Sequence, residues 1–305
     1  MTEKKRLIVI DSNSIVHRAF HALPPLSTKS GEVVGAVYGF LLVFLKALRE
    51  FQPNYIAATF DLPGPTFRHE KFREYKATRP PTAQGICDQL PKIKEILKEF
   101  GVSIFEKQGF EADDIIATIS DLVGKQQTIE ELETIILSGD SDSLQLVDKN
   151  TKVYFLRKGV KDTVLYDENK VLEKYQGLVP EKLADFKSLK GDPTDNIPGV
   201  KGIGEKTAIS LILKFGSIEN LYQEINKISE KSAEIPARIK EILIKGKEQA
   251  FLSKDLSLAE KNVPIDFELD KCYWPGMDKE KAGEIFEKFE FYSLIKRLNE
   301  LENNA

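Results

Sequence analysis

Leu7-Ile8-Val9-Ile10-Asp11 is a short, continuous apolar run, partly β-branched, that ends in an acid. A strand buried on both faces of a parallel sheet reads this way, because neither face meets water and no polar alternation is needed. Tyr55-Ile56-Ala57-Ala58-Thr59-Phe60 repeats the pattern and ends at Asp61; Thr134-Ile135-Ile136-Leu137 repeats it ahead of Ser138-Gly139-Asp140-Ser141-Asp142. Helix-period segments, Val37 to Phe51 and Gln89 to Phe100, lie between them. Strands alternating with helices predict an α/β fold with a mainly parallel, doubly wound sheet. Such sheets bind ligands at the carboxyl ends of their strands, where all three runs deliver Asp. Val153 to Leu156 and Thr163 to Tyr166, joined through Gly159, read as a hairpin at the sheet edge.

Glu111-Ala112-Asp113-Asp114 opens another helix-period run, Ile115 to Ile119. One or two acids there need no special account, since a helix N-terminus favours negative charge. Three in four residues repel one another unless a cation sits among them. An Asp after a strand is likewise an ordinary turn or cap residue taken singly. Three of them together with the Glu111 cluster are better explained by convergence on metal ions. Asp192 and Asp195 extend the set. Setting aside those nine carboxylates (Asp11, Asp61, Glu111, Asp113, Asp114, Asp140, Asp142, Asp192, Asp195) turns the formal net charge of -4 into +5. The acidic total therefore does not exclude a polyanionic partner. The 305 residues, 41% of them hydrophobic, suffice for a sizeable core. The apolar runs stop far short of a membrane span and no signal peptide is visible, so a cytoplasmic protein is expected. Cys87 and Cys272 lie far apart and fit neither a disulfide framework nor a zinc site.

Phe67 to Pro81 interleaves Phe67, Phe72 and Tyr75 with Arg68, Lys71, Arg73, Lys76 and Arg79. Alone, it reads as a solvated charged helix or loop. Directly after Asp61 it suits guiding a single nucleic-acid strand, charges on phosphates and rings on bases, with Arg68 and Arg73 among the contacts. Gly191 to Ala208 carries the other glycine-rich stretch. Counted from Gly199, Glu205 intrudes between Gly204 and Lys206, so the phosphate loop of nucleotide triphosphatases fails by one residue. Two short helices joined at Gly202-Ile203-Gly204 fit better, their free N–H groups holding a backbone phosphate beside Lys201, Lys206 and Thr207. A domain boundary is placed near Leu172, dividing 1–172 from 173–305. Beyond it, Ile239 to Ile244 and Ala282 to Leu301 read as helices and Val263 to Phe267 as extended.

The ordered set Asp11, Phe60-Asp61, Glu111 to Asp114, Gly139 to Asp142, Gly191 to Val200 and Gly202 to Ala208 resembles the 5′ nuclease domain of bacterial DNA polymerase I, in the flap endonuclease family. The likeness runs from about Leu7 to the chain end, strongest through Phe215, and departs nowhere at the acidic positions. It implies a nuclease core with a helix-hairpin-helix region, cutting 5′ ends and flaps of branched duplex DNA with two magnesium or manganese ions in replication and repair. Carried over, Asp11, Asp61, Glu111 and Asp113 surround one ion, Asp140, Asp142 and Asp192 the other, and Asp114 and Asp195 act through water or from outside the ligand set. Arg18, Tyr75, Lys76 and Arg79 lie near the scissile phosphate, the last three in a helical arch. The hairpin binds the duplex backbone and a potassium ion. A monomer is implied, with RNA or DNA at the 5′ strand, and a polymerase fused to the parent protein, left open. Hard oxygen ligands independently suit magnesium or manganese over zinc. A non-cutting DNA-binding protein should have lost site acids, and a related RNase should lack both arch and hairpin. His17 and His21 stand at i, i+4 without a third nitrogen or sulfur ligand and are assigned to packing.

Overall fold

The structure, a computed structural model, describes residues 4–125, 132–227 and 235–300. One sheet carries six strands: β1 (Lys5–Asp11), β2 (Tyr55–Thr59), β3 (Ser103–Phe105), β4 (Leu132–Ser138), β5 (Thr151–Lys158) and β6 (Asp162–Tyr166), in the order β3-β2-β1-β4-β5-β6. Every pairing is parallel except β5 with β6, the expected edge hairpin. The chain winds outward from β1 in both directions, so the topological switch point lies between the carboxyl ends of β1 and β4. The three-residue β3 carries too little apolar sequence to have been expected.

Helices follow in chain order as α1 (Ser12–Ala22), α2 (Gly35–Phe51), α3 (Phe67–Lys71), α4 (Gln84–Cys87), α5 (Leu90–Glu99), α6 (Ala112–Lys125) and α7 (Glu168–Lys174). Then come α8 (Leu183–Lys190), α9 (Glu205–Phe215), α10 (Ile218–Glu224), α11 (Ala237–Lys245), α12 (Lys247–Ser257), α13 (Lys279–Lys288) and α14 (Tyr292–Glu300). The alternating directions of strand side chains divide β1 between two cores. Ile8 and Ile10 pack with α1, α2, α5, α13 and α14. Leu7 and Val9 pack with α6 and with α8 to α12. Each such side chain, fully buried, contributes roughly 1.5–3 kcal/mol, which is why the strands tolerate no polar residue before their terminal Asp.

Leu172 lies inside α7. Val263 to Phe267 belongs to no regular element. Two expectations change. The helix expected over Ala282 to Leu301 is two helices, α13 and α14, separated near Glu290, whose φ of 59° interrupts the first; Leu301 itself lies outside the described residues. The helix expected just before Gly202 is absent: α8 ends at Lys190, and residues 191–204 form a looped connection. That loop closes on itself through the antiparallel bridge between Asp192 and Ile197. A Cβ at Gly199 would stand 2.2 Å from the Gly191 nitrogen, so only glycine permits this approach.

Candidate metal centre

The first acid of the site is also a structural cap. Asp11 ends β1 and begins α1, its Oδ1 accepting the Ser14 N–H at 3.1 Å and its Oδ2 the Ser138 hydroxyl at 2.6 Å. The ordinary cap role and the site role therefore coincide in one carboxylate. Asp61 follows β2 and accepts the N–H of Ala112 at 2.7 Å, tying that strand end to the start of α6. Asp140 follows β4 and accepts the Asp142 N–H at 2.9 Å. Three strand ends and one helix start, adjacent at the switch point, thus bring Asp11, Asp61, Glu111, Asp113 and Asp140 to one cavity of about 610 Å³. Asp140 also lines a contiguous hollow with Asp142, Asp192 and Asp195.

The electrostatics of this convergence are unfavourable without added positive charge. Burial pushes the Asp11 carboxyl up to about 6. Burial, reinforced by Asp11 and Asp140, raises Asp113 well above the usual range, and burial raises Asp61. Among the described residues no donor is bonded to Asp113, although its neighbours all are. On the second side, burial lifts Asp142 to about 6 against the pull of Lys187. Asp192 is also raised by burial, but Lys187 and Thr194 outweigh that and hold it below its ordinary value.

Protein cations meet part of this demand. Lys76 donates to Glu111 at 2.8 Å, Arg79 bonds Asp195, and the Lys187 ammonium bridges Asp142 and Asp192, the latter at 2.7 Å. With their oxygens turned to these partners, no three acids form a ready-made ion cage among the described residues. The donor set nevertheless fits hard divalent cations: it is all carboxylate, it is crowded, and Asp113 faces two other acids with no bonded donor. Lys187 carried no motif in the sequence. Its one signal is its place in the last turn of α8, just before the Gly191-Asp192 loop.

Other expectations are corrected. Arg68 does not face a nucleic acid: it is 3% exposed and pairs bidentately with Asp114 at 2.8 and 2.7 Å, also donating to the Leu256 and Leu258 carbonyls. Asp114, 0% exposed, is committed to Arg68 and to the N–H groups of Glu111 and Glu260. The basic segment is not a continuous helical arch. After α3 it runs in turns, Lys76 adopts a φ of 55°, and the backbone of Lys76 donates to the Asp195 carbonyl. Tyr75 is buried and its hydroxyl donates to Glu111 at 3.1 Å and Asp195 at 3.3 Å rather than standing over open space. Arg73 is exposed. Arg18 reaches the cavity wall, donating to the carbonyls of Gly139 and Arg157. His17 and His21 line the same cavity, with burial lowering the basicity of His17. Lys201, Gly202, Gly204 and Lys206 are exposed and Thr207 half-buried at the start of α9, whose first turn has no side-chain cap.

Comparison with known proteins decides the family. The N-terminal resolvase-like domain of 5′-3′ exonucleases matches residues 6–176, and their C-terminal SAM fold matches residues 178–280. The chain belongs to the 5′-3′ exonuclease family. As a family member it is a nuclease, a hydrolase of phosphodiester bonds. DNA polymerase I of Bacillus subtilis is 40% identical over 300 residues, and that of Caldicellulosiruptor bescii 40% over 295, covering 98% and 96% of this chain. The chain spans about a third of the length of these relatives, 33% of each. Solved exonuclease-family folds are similar too. T5 5′-exonuclease with bound zinc has a TM-score of 0.64 at 21% identity, covering 83% of this chain and 89% of its own. The catalytic core of Rad2 in complex with DNA substrate has a TM-score of 0.63 at 20% identity, covering 98% and 93%. A T5 flap endonuclease complex with DNA and metal ions has a TM-score of 0.64 at 18% identity, covering 98% and 99%.

Proposed function

We propose that this exonuclease-family chain is a structure-specific 5′ nuclease that hydrolyses phosphodiester bonds at 5′ ends and flaps of branched duplex DNA, using two magnesium or manganese ions. The observation that carries this reading is Asp113, a buried carboxylate facing Asp11 and Asp140 with no bonded donor among the described residues. The fold's carboxyl edge collects those acids for a charge the protein does not itself supply. Asp11, Asp61, Glu111 and Asp113 would hold one ion and Asp140, Asp142 and Asp192 the other. Bound there, a pair of divalent ions supplies an activated water and stabilises the leaving oxygen.

The chain's own groups do the rest. Lys76 and Arg18, which both line the cavity, would place positive charge where a scissile phosphate lies. Arg79 and Tyr75 keep Asp195 oriented at the rim. The uncapped first turn of α9, with Lys201 and Lys206, suits a duplex backbone phosphate and a potassium ion, positioning DNA without reading its sequence. No protein nucleophile is needed. The setting we propose is DNA replication and repair in the cytoplasm, the chain acting as a monomer alongside a polymerase, on a 5′ strand of DNA or RNA. A duplex with a 5′-labelled flap, incubated with magnesium, manganese or EDTA, tests this. A short labelled product with either metal and none with EDTA supports the reading; uncut flap with both metals overturns it.

A further inference from the structure

The carboxylate cavity does not end at the acids. Arg18 and Phe155 border its second hollow, and Arg157 lines both the main cavity and a separate groove of about 440 Å³. That groove lies between the β5–β6 hairpin and α7, walled by Arg157, Val164, Tyr166, Lys170, Glu173 and Lys174. Val164 stands opposite Phe155 in the antiparallel register, and the Phe155 and Tyr166 rings meet edge to face at 5.9 Å. An aromatic floor thus runs from the carboxylates into the groove.

The charges over that floor are not balanced. Lys174 holds its ammonium 5.2 Å from the centres of both Phe155 and Tyr166 and 5.6 Å from that of Tyr175, while the Arg18 guanidinium lies 5.9 Å from the same Phe155 ring. No carboxylate pairs with Lys174 among the described residues, and the Lys170 ammonium donates to the Leu165 carbonyl rather than to an acid. Arg157 is already bound by Asp162, which leaves two lysines facing the single acid Glu173. Cation–π contacts orient an ammonium without neutralising it. A cation so placed, partly stripped of water and without a counter-ion, is ready for an anion.

We propose that this groove is a second phosphodiester subsite, in which Lys170 and Lys174 hold the backbone of the substrate strand as it leaves the carboxylate cavity past Arg18 and Phe155. The proposal rests on the nuclease reading above. Its spacing favours a polyanion over a single phosphate, because the cations are spread along a path continuous with the cavity. Lys174 also sits on the side of the fold where Gly177, just beyond α7, approaches α9 so closely that a Cβ there would stand 3.6 Å from Leu213 of that helix, whose exposed start suits another backbone phosphate.

Binding of a flapped duplex in calcium, measured across a series of salt concentrations, tests the subsite. The variants are Lys170→Ala/Lys174→Met, whose methionine keeps the stem over the rings, and a charge-matched control, Lys288→Ala/Lys296→Ala, on the opposite layer. Two lost phosphate contacts should lower the slope of log affinity against log salt by about 1.8 and weaken binding roughly tenfold at moderate salt, with the control unchanged. A slope equal to wild type, or an equal loss in the control, overturns the subsite while wild-type flap cleavage leaves the nuclease reading standing. A wild type that neither binds nor cuts the flap removes both.

Discussion

Arg68 and Arg73 show how two neighbouring arginines in one basic stretch come to have opposite roles. Arg68 is sealed against Asp114, whereas Arg73 is exposed. Removing one partner of a buried pair strands the other charge in a low dielectric, so Arg68→Ala should destabilise the protein by about 3–5 kcal/mol. Arg73→Ala should change stability by less than about 0.5 kcal/mol. Urea denaturation of both variants measures the difference, and equal midpoints would show that the Arg68 pair does not hold the fold. In the sequence the two are indistinguishable, because a cation flanked by aromatic residues is written alike whether it meets phosphate or a buried carboxylate. The acids were legible for the converse reason. Asp11, Asp61 and Asp140 each terminate an apolar run, and the end of a strand is a position that sequence does reveal. Lys187 was not legible, since a lysine in the last turn of a helix is ordinary until Asp142 and Asp192 are seen beside it.

At the scale of elements, the central strands β1, β2 and β4 were read correctly because being buried on both faces imposes a continuous apolar run, a constraint strong enough to appear without tertiary information. The segment from Phe67 to Pro81 obeys a different constraint. It folds as a five-residue helix and successive turns because its cations have partners in the site, Lys76 with Glu111 and Arg79 with Asp195, and those long-range pairs override any helical periodicity. Lys76 is consequently held in place by the same carboxylate that is proposed to bind metal. Lys76→Ala should lower kcat for flap cleavage by roughly 10²-fold or more, since it removes positive charge at the proposed phosphate position. Single-turnover kinetics at saturating DNA checks this, and an unchanged rate would confine Lys76 to shaping the segment. The closed loop between Gly191 and Gly199 explains glycines that the sequence allowed to be read as phosphate-binding; two of them serve backbone approach.

For the molecule as a whole, the fold assembles like charges at a sheet edge and leaves a deficit that divalent cations can relieve. Asp11 and Asp142 carry folded-state values of about 6 against an ordinary 3.8. A folded acid raised in this way keeps its proton where the unfolded chain has lost it, so the metal-free protein loses stability as pH rises through the window from 3.8 to about 6. Divalent ions bind the deprotonated carboxylates, and the rise in Tm on adding millimolar magnesium or manganese should therefore be larger above pH 7 than at about pH 5. Thermal unfolding at the two pH values provides the comparison; equal increments would place the ions away from these acids. The architecture joins both cores beneath this edge, so the carboxylates of β1, β4 and α6 and the loop after α8 are held by one packed body.

The most direct test of the metal centre is cleavage and binding of a 5′-labelled flap duplex by the Asp140→Ala/Asp142→Ala variant beside the wild type, in magnesium. The arrangement of the site predicts that the variant binds the flap and leaves it uncut, while the wild type releases a short labelled product near the junction. A variant that cuts at the wild-type rate would contradict the assignment of these carboxylates as the seat of the reaction.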